Sequence, residues 1–384
     1  MKISRIAEAL GSISDEISRE TIEEIEAKSD GVSDNVPAQK PRIVRSEAPR
    51  KAPFIIAAAS LCAAAAIALP IYFSALGNRN IVNSDAGESG ASEYNSSGSS
   101  TTSNLTFGYS AAISNYYGSD EVVIIPETID GKKVVGINEN AFLDCKTIKN
   151  VVFPQSITVI GKNAFGNCQS LESVTLHENI QDIMDSAFIG CTKLAKAELP
   201  KDAKIGDYAF MGCSSLAEVT GDIVYIGESA FCDCTSLKSF DFPEFMSEIK
   251  QFTFYGCTSL ESVTIPEGIV QIGNCALYKC TSLQEIVLPK SLCVIETRAF
   301  GECSSLKNIV IPEGVRKIGG DAFCSCTSLE SITIPDSVTE IGTDIFDGCT
   351  NIRATYKGKT YSYAERLELY RAIDSNYQDL PAHL

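Results

Sequence analysis

Cysteine is the most reactive residue type in this chain, because a thiol can pair in a disulfide, bind zinc or act as a nucleophile. Ten of the 15 cysteines recur at intervals of 21 to 23 residues, at positions 145, 168, 191, 213, 234, 257, 280, 303, 326 and 349. A disulfide framework is one interpretation of this spacing. However, each sulfur of a periodic ladder has two equivalent neighbours, so we expect small, buried thiols instead.

Zinc binding and catalysis are the other functions that these residue types allow. Two C-x-C pairs occur, at 232–234 and 324–326, but no second pair or histidine completes a tetrahedral zinc site. The chain has two histidines, His177 and His383, no G-x-S-x-G nucleophile motif and no D-x-D-x-D-G calcium loop. We therefore predict a protein that is not an enzyme and uses no metal or other cofactor.

The cysteine ladder belongs to a repeat that contains two further apolar columns. Three residues before each cysteine stands Phe, or Leu at position 277, and three residues after it stands Leu or Ile. This spacing predicts that like residues of successive copies stack in the interior. Three clear copies of the structural ladder are Phe165, Cys168 and Leu171; Phe300, Cys303 and Leu306; and Phe323, Cys326 and Leu329.

A single copy, residues 257–279, reads CTSLESVTIPEGIVQIGNCALYK. Leu260, Val263 and Ile265 alternate with polar residues, as is typical of a strand with one buried side, and Pro266 ends the strand. Because 23 residues enclose no core of their own, neighbouring coils must stack and share one. At about 4.8 Å per coil, ten coils would form a rod about 50 Å long.

The repeated unit, AF-x-x-C-x-x-L-x-x-[VI]-x-[IL]-P followed by V-x-x-IG, resembles the BspA-type leucine-rich repeat of bacterial surface proteins. The likeness covers residues 105–356 and implies a β-rich leucine-rich-repeat solenoid of about ten coils of 21 to 23 residues. It also implies a curved solenoid that displays a sheet face for binding. The main departure is a shortened interval around residues 220–222.

The outward-facing strand residues are the candidate ligand-binding side chains. They are polar and mildly acidic near the middle of the array, which favours a basic partner. A sheet that is merely solvated needs polar residues as well, and the sequence does not distinguish these two interpretations. The residues that we assign to the candidate face are Glu198, Glu218, Asp241, Thr264 and Glu285.

The segments on either side of the repeats have their own patterns. Residues 53–76 contain no charge and predict a single transmembrane helix, with a cleaved secretory signal as the alternative. Residues 1–52 predict short amphipathic helices and a basic tether, which keeps this end in the cytoplasm and the repeats outside the cell membrane. Residues 77–104 form a Gly/Ser/Asn-rich linker, and residues 357–384 predict a C-terminal cap made of a hairpin and a helix.

The charge balance limits the partners. The formal net charge is -17, and beyond residue 76 there are 39 acidic side chains against 23 basic ones, so we exclude nucleic acid. We predict a non-catalytic cell-surface scaffold whose extracellular leucine-rich repeat domain binds a protein, a matrix component or a glycan, as in adhesion. The alternative is a transmembrane sensor whose residues 1–50 dock a cytoplasmic partner such as a sigma factor.

Overall fold

The computed structural model describes residues 105–107, 111–375 and 377. These residues wind into about eleven stacked coils, which form a β-solenoid of the leucine-rich-repeat type. The predicted solenoid is therefore confirmed, with one coil more than the ten that the cysteine ladder counts. In this additional first coil Tyr116 takes the place of the ladder Phe and stacks on Phe142, at 5.2 Å between ring centroids. Ser119 stands where the ladder cysteine would be.

The strands are short because each coil changes direction after two to five residues. In chain order they are β1 Leu105–Phe107, β2 Ala112–Tyr116, β3 Val122–Ile124, β4 Thr128–Ile129, β5 Lys132–Lys133, β6 Gly136–Ile137, β7 Asn150–Val152, β8 Val159–Ile160, β9 Ser173–Thr175, β10 Asp182–Ile183, β11 Lys196–Glu198, β12 Ala203–Ile205, β13 Glu218–Thr220, β14 Ile223–Ile226, β15 Ser239–Asp241, β16 Glu248–Ile249, β17 Ser262–Thr264, β18 Gln271–Ile272, β19 Val294–Ile295, β20 Asn308–Val310, β21 Lys317–Ile318, β22 Ser331–Ile334, β23 Glu340–Ile341, β24 Arg353–Tyr356 and β25 Lys359–Ser362. A 3-10 turn, Tyr363–Glu365, and helix α1, Arg366–Ile373, follow.

Each regular coil contributes a front strand, which follows the ladder Leu, and a rear strand, which precedes the ladder Phe. The front strands pair in the groups β3-β7-β9-β11-β13, β15-β17 and β20-β22-β24-β25. The rear strands pair in the groups β1-β2-β6-β8-β10-β12-β14 and β16-β18-β19-β21-β23. Pairing between coils is parallel and keeps equivalent residues opposite, so that Ala197 lies between Val174 and Val219. The pairs β1-β2, β4-β5 and β24-β25 are antiparallel.

The interior consists of columns of like side chains. The ladder residues Phe165, Cys168 and Leu171 are completely buried, as are their counterparts at 300, 303, 306, 323, 326 and 329. Neighbouring rings stack at 4.8 Å between Phe142 and Phe165 and at 5.5 Å between Phe300 and Phe323. Stacking one residue type on itself at the spacing of the coils fills the interior, because the same shape recurs at each level.

The ladder thiols also satisfy backbone carbonyl groups. The Cys168 thiol donates a hydrogen bond to the Phe142 carbonyl of the preceding coil, with Sγ 3.1 Å from the oxygen, and the same bond recurs along the ladder to Cys349. Burial raises the pKa of the Cys303 thiol to about 12, so it stays protonated near neutral pH. No disulfide joins any of the fourteen cysteines in the described part of the chain, in agreement with the expectation of buried thiols.

Helix α1 closes the C-terminal end of the stack. Inside the solenoid each ladder Phe N–H donates to a carbonyl of the next coil, in most coils that of an Ala, as Phe165 does to Ala187 at 2.8 Å. The last such donor, Phe346 N–H, binds instead to the Tyr370 hydroxyl oxygen at 3.1 Å. Leu369 and Ile373, one residue before and three residues after Tyr370 in α1, are buried as well. The helix therefore replaces both the hydrogen bonding and the packing that a further coil would supply.

Several predicted segments lie outside the described residues. They are the cytoplasmic segment 1–52 with its docking role, the transmembrane helix 53–76, the linker 77–104 and the end of the C-terminal cap beyond 377. Among the helices of the described residues, none combines the length and the apolar character that crossing a membrane requires.

Candidate binding face

The front strands present two columns of side chains to solvent. In β9, Ser173 and Thr175 are exposed while Val174 between them is buried. The same pattern recurs in β15, β17 and β20, because successive residues of a strand point to opposite sides of the sheet. We call the first and third positions of the front strands, in all coils, the front face.

Two of the predicted acidic residues share one cation. Glu198 and Glu218 are exposed on adjacent strands, and Lys196 lies between them, with its Nζ 3.0 Å from Glu198 Oε1 and 3.3 Å from Glu218 Oε1. The hydrogen bond to Glu198, with a second to Glu218, raises the pKa of the Lys196 ammonium. The acidic character of the front face is therefore partly neutralised at this place.

The other predicted residues lie in separate parts of the front face. Asp241 and Thr264 are opposite each other in β15 and β17, a pair of strands that joins neither neighbouring group. Glu285 is exposed but lies outside a regular strand, and only an isolated bridge joins it to Asn308. The five predicted residues therefore share the front face without forming one continuous hydrogen-bonded sheet.

The front face also contains apolar side chains that the sequence interpretation missed. Val287 and Val310, in adjacent coils, are 81% and 72% exposed. At the N-terminal end Val122, Ile124 and Val152 are about half exposed. The repeat register contains the signal for them, since Val287 stands two residues after the outward Glu285. The face is thus apolar at its N-terminal end and around Val287 and Val310, and charged in the middle.

The repeat pattern matches a known family. The model of the BspA type leucine rich repeat region matches residues 135–223 and 224–353, in six copies, which is more than half of the chain. The chain belongs to the BspA-type leucine-rich repeat family. This family and its fold typically provide non-enzymatic binding scaffolds, which supports the prediction of a non-catalytic role.

Among solved structures, the chain is similar to a leucine-rich cell surface protein from Faecalibacterium prausnitzii, with 25% identity over 72% of this chain and 96% of that chain, and a TM-score of 0.35. It is also similar to a leucine-rich repeat protein from Bacteroides ovatus, with 23% identity, coverage of 72% and 97%, and a TM-score of 0.36. The pneumococcal vaccine antigen PcpA shows 19% identity, coverage of 64% and 82%, and a TM-score of 0.36. No curated protein sequence matches the chain.

The two matched BspA-type regions meet at residue 223, next to the main irregularity of the described solenoid. We call the boundary between the coil of β13 and β14 and the coil of β15 and β16 the joint. Neither the front nor the rear strands pair across it. Gly221 makes a tight turn there with φ +124°, where a Cβ atom would collide with the Leu199 carbonyl oxygen. The turn is the structural result of the shortened interval around residues 220–222.

The histidine of the repeat region has a structural role in this BspA-type solenoid. His177 Nε2 lies 2.7 Å from the Pro154 carbonyl oxygen, so it must be the protonated ring nitrogen. The Asn179 N–H donates to His177 Nδ1 at 3.3 Å. Nε2 thus joins the loop to that of the preceding coil, while Nδ1 accepts a hydrogen bond within its own loop. The described residues also contain no group of three or more His, Cys, Asp or Glu side chains that could hold a metal ion.

Proposed function

We propose that this chain is a cell-surface binding protein whose front face binds an extracellular protein. The observation that carries the proposal is the pair Val287 and Val310, two large apolar side chains that are mostly exposed in adjacent coils. Exposed apolar side chains on a rigid sheet gain free energy when a partner covers them. Asp241 and Glu285, on the same face, add charges that orient a basic partner.

A protein fits the front face better than a glycan. Sugar rings are commonly held against aromatic side chains, and the first and third positions of the described front strands from β3 to β24 contain no Phe, Tyr or Trp. They contain β-branched side chains, among them Val310, Thr264 and Thr333, which form flat, partly apolar columns. Such a surface suits another polypeptide, with side chains packing across the columns.

Binding by the full chain in detergent, immobilised and exposed to purified extracellular matrix proteins and to glycans, tests this function. We expect saturable binding to a protein that weakens about tenfold or more in the double variant Val287→Thr, Val310→Thr, because Thr keeps the shape but removes apolar surface. Met184→Thr, which removes an exposed apolar side chain away from the front strands, is the matched control. Binding to glycans alone, or equal losses in both variants, would contradict the proposal.

The location of the chain is part of the same proposal. We infer that residues 53–76 anchor it in the cell membrane by a single helix, with residues 1–52 in the cytoplasm and the repeats outside. A protease added to intact cells should then digest the repeats and spare a tag at the N-terminus. Digestion of the tag while the repeats survive would indicate the opposite orientation and contradict the proposal.

A further inference from the structure

The most exposed large apolar residue of the described chain lies at the joint. The Phe245 side chain is 88% exposed, in the loop between β15 and β16. In the next coils the equivalent loop position holds Gly268, Ser291, Gly314 and Ser337. A small or polar residue is therefore sufficient for this loop to fold. Neither the repeat nor the interior requires a phenylalanine here. We therefore consider a role for this side chain in contacting another molecule.

The two coils at the joint remain connected although the sheets are interrupted. The Phe231 N–H donates to the Thr253 carbonyl at 3.0 Å, so the turn segments of the two coils bond across the joint. In the coil that carries Phe245, the Phe240 ring lies 5.2 Å from Phe231 and 4.9 Å from Phe254, measured between centroids. The interior on both sides of the joint is thus packed, and an exposed ring on a packed coil loses little conformational entropy when a ligand covers it.

The interruption also leaves β15 without a paired strand on one side. Because β15 pairs only with β17, its other edge faces the joint. Where the front strands pair continuously, both edges of a strand are hydrogen-bonded to the coils on either side. A ligand at the joint therefore lies beside a strand edge that pairs with no other described strand.

The negative charges around Phe245 favour a cationic ligand. Asp222, Asp241 and Glu244 are exposed on the two sides of the joint, and none forms an ion pair with another described residue. Lys250 and Lys238 are the nearest basic residues to Phe245 in the sequence, and because Lys250 pairs with Glu248, the three carboxylates leave an excess of negative charge. An aromatic ring near carboxylates attracts a group that is both cationic and partly apolar, through ion pairing and cation–π contact.

We propose that the joint binds a basic polypeptide segment, with an apolar side chain of the partner on the Phe245 ring and its Lys or Arg side chains near Asp222, Asp241 and Glu244. This rests on the proposed function, since it takes the partner to be a protein, and it adds a specific place and chemistry. Lysine and arginine fit both features, because their stems are apolar and their ends are charged. A neutral glycan would leave the three carboxylates without a counter-charge.

The test uses the full chain in detergent and a fluorescent ten-residue peptide of alternating Lys and Phe, with binding measured by fluorescence anisotropy. We expect the affinity to fall about tenfold or more in Phe245→Ser, which installs the residue found at this position in other coils. Met184→Thr, which changes an exposed apolar residue outside the two coils of the joint, should bind the peptide as the wild type does. Because Phe245 is exposed, the thermal unfolding of Phe245→Ser should match that of the wild type.

Two further measurements separate the charge from the ring. Asp241→Asn with Glu244→Gln should weaken binding and reduce its dependence on salt, and a peptide with Glu in place of Lys should not bind. Unchanged affinity in Phe245→Ser, equal losses in Met184→Thr, or no binding of the Lys/Phe peptide by the wild type would overturn the proposal. If matrix proteins still bind the Val287 and Val310 region in that case, the proposed function survives while the joint has no part in it.

Discussion

The interior and the front face of this solenoid come from the same coils, yet they vary in opposite ways from coil to coil. Inside, Phe, Cys and Leu recur at nearly every level and are completely buried. Outside, equivalent positions hold Thr175, Glu198, Asp241 and Val310 in different coils. An interior residue packs against copies of itself above and below, so each column favours one shape. An outward residue meets solvent or a partner, and it can change without disturbing the stack.

The same contrast indicates which positions of a repeat protein can make one part of its surface differ from another. The buried columns repeat one residue type and build the scaffold, whereas the exposed positions differ from coil to coil. Val287, Val310 and Phe245 are differences of this kind. The comparison predicts that inward substitutions change the free energy of unfolding and outward substitutions change binding.

The largest expected effect follows from removing one ring of the stack. Phe300→Ala should lower the free energy of unfolding by about 3 to 5 kcal/mol, because it leaves a cavity beside Phe323. Thr264→Ala, on the front face, should stay within about 0.5 kcal/mol of the wild type. Denaturant unfolding of both variants measures the difference. Similar losses in the two variants would mean that the inward and outward columns are misassigned.

The terminal cap should respond next. Tyr370→Phe keeps the packing of the ring but removes the oxygen that accepts the Phe346 N–H. A buried donor without an acceptor costs about 1 to 3 kcal/mol, so we expect a loss of about 2 kcal/mol. Tyr225→Phe, at an exposed tyrosine in a rear strand, is the control and should have no measurable effect. Unchanged unfolding of Tyr370→Phe would show that the cap hydrogen bond is dispensable.

A matched pair of isosteric changes sharpens the comparison within the front strands. Val263→Thr places a hydroxyl in the interior of β17 and should cost about 1 to 2 kcal/mol. Val310→Thr makes the same chemical change on the front face and should be neutral within about 0.5 kcal/mol. The pair is measured by thermal and denaturant unfolding. Equal effects would remove the distinction between the two sides of the strand.

The smallest effect concerns the pH dependence of the thiol column. Burial raises the pKa of Cys303 from 9.0 to about 12 in the folded chain, so the folded state keeps a proton that the unfolded state loses. The stabilisation is therefore complete below pH 9 and is lost as the pH rises towards 12. At pH 10 the ionisation of this thiol in the unfolded chain should lower the free energy of unfolding by about 1 kcal/mol. Cys303→Ala should therefore reduce the slope of the free energy of unfolding against pH. An unchanged slope in that variant would contradict the assignment.

The features that the sequence predicted are those that repeat. The 23-residue period, the inward positions of Phe165, Cys168 and Leu171, and the family all follow from local spacing. The missed features depend on single departures. Val287 and Val310 occupy outward positions of the predicted register, but as apolar residues they depart from the polar face that the repeat predicts. Phe245 lies at a loop position where folding requires no phenylalanine. This lack of a structural reason is the only indication in the sequence that the side chain has another role.

The repeat pattern alone predicts that coils must stack and which side chains face the interior, because a short coil buries its apolar residues only against its neighbours. Which outward residues are neighbours follows from the folded coils instead. The contact of Lys196 with both Glu198 and Glu218, the isolation of β15 and β17, and the interruption of both sheets at the joint depend on the register between coils. That register is set by packing over the whole length of each coil, and a shortened interval shifts it in ways that local spacing does not specify.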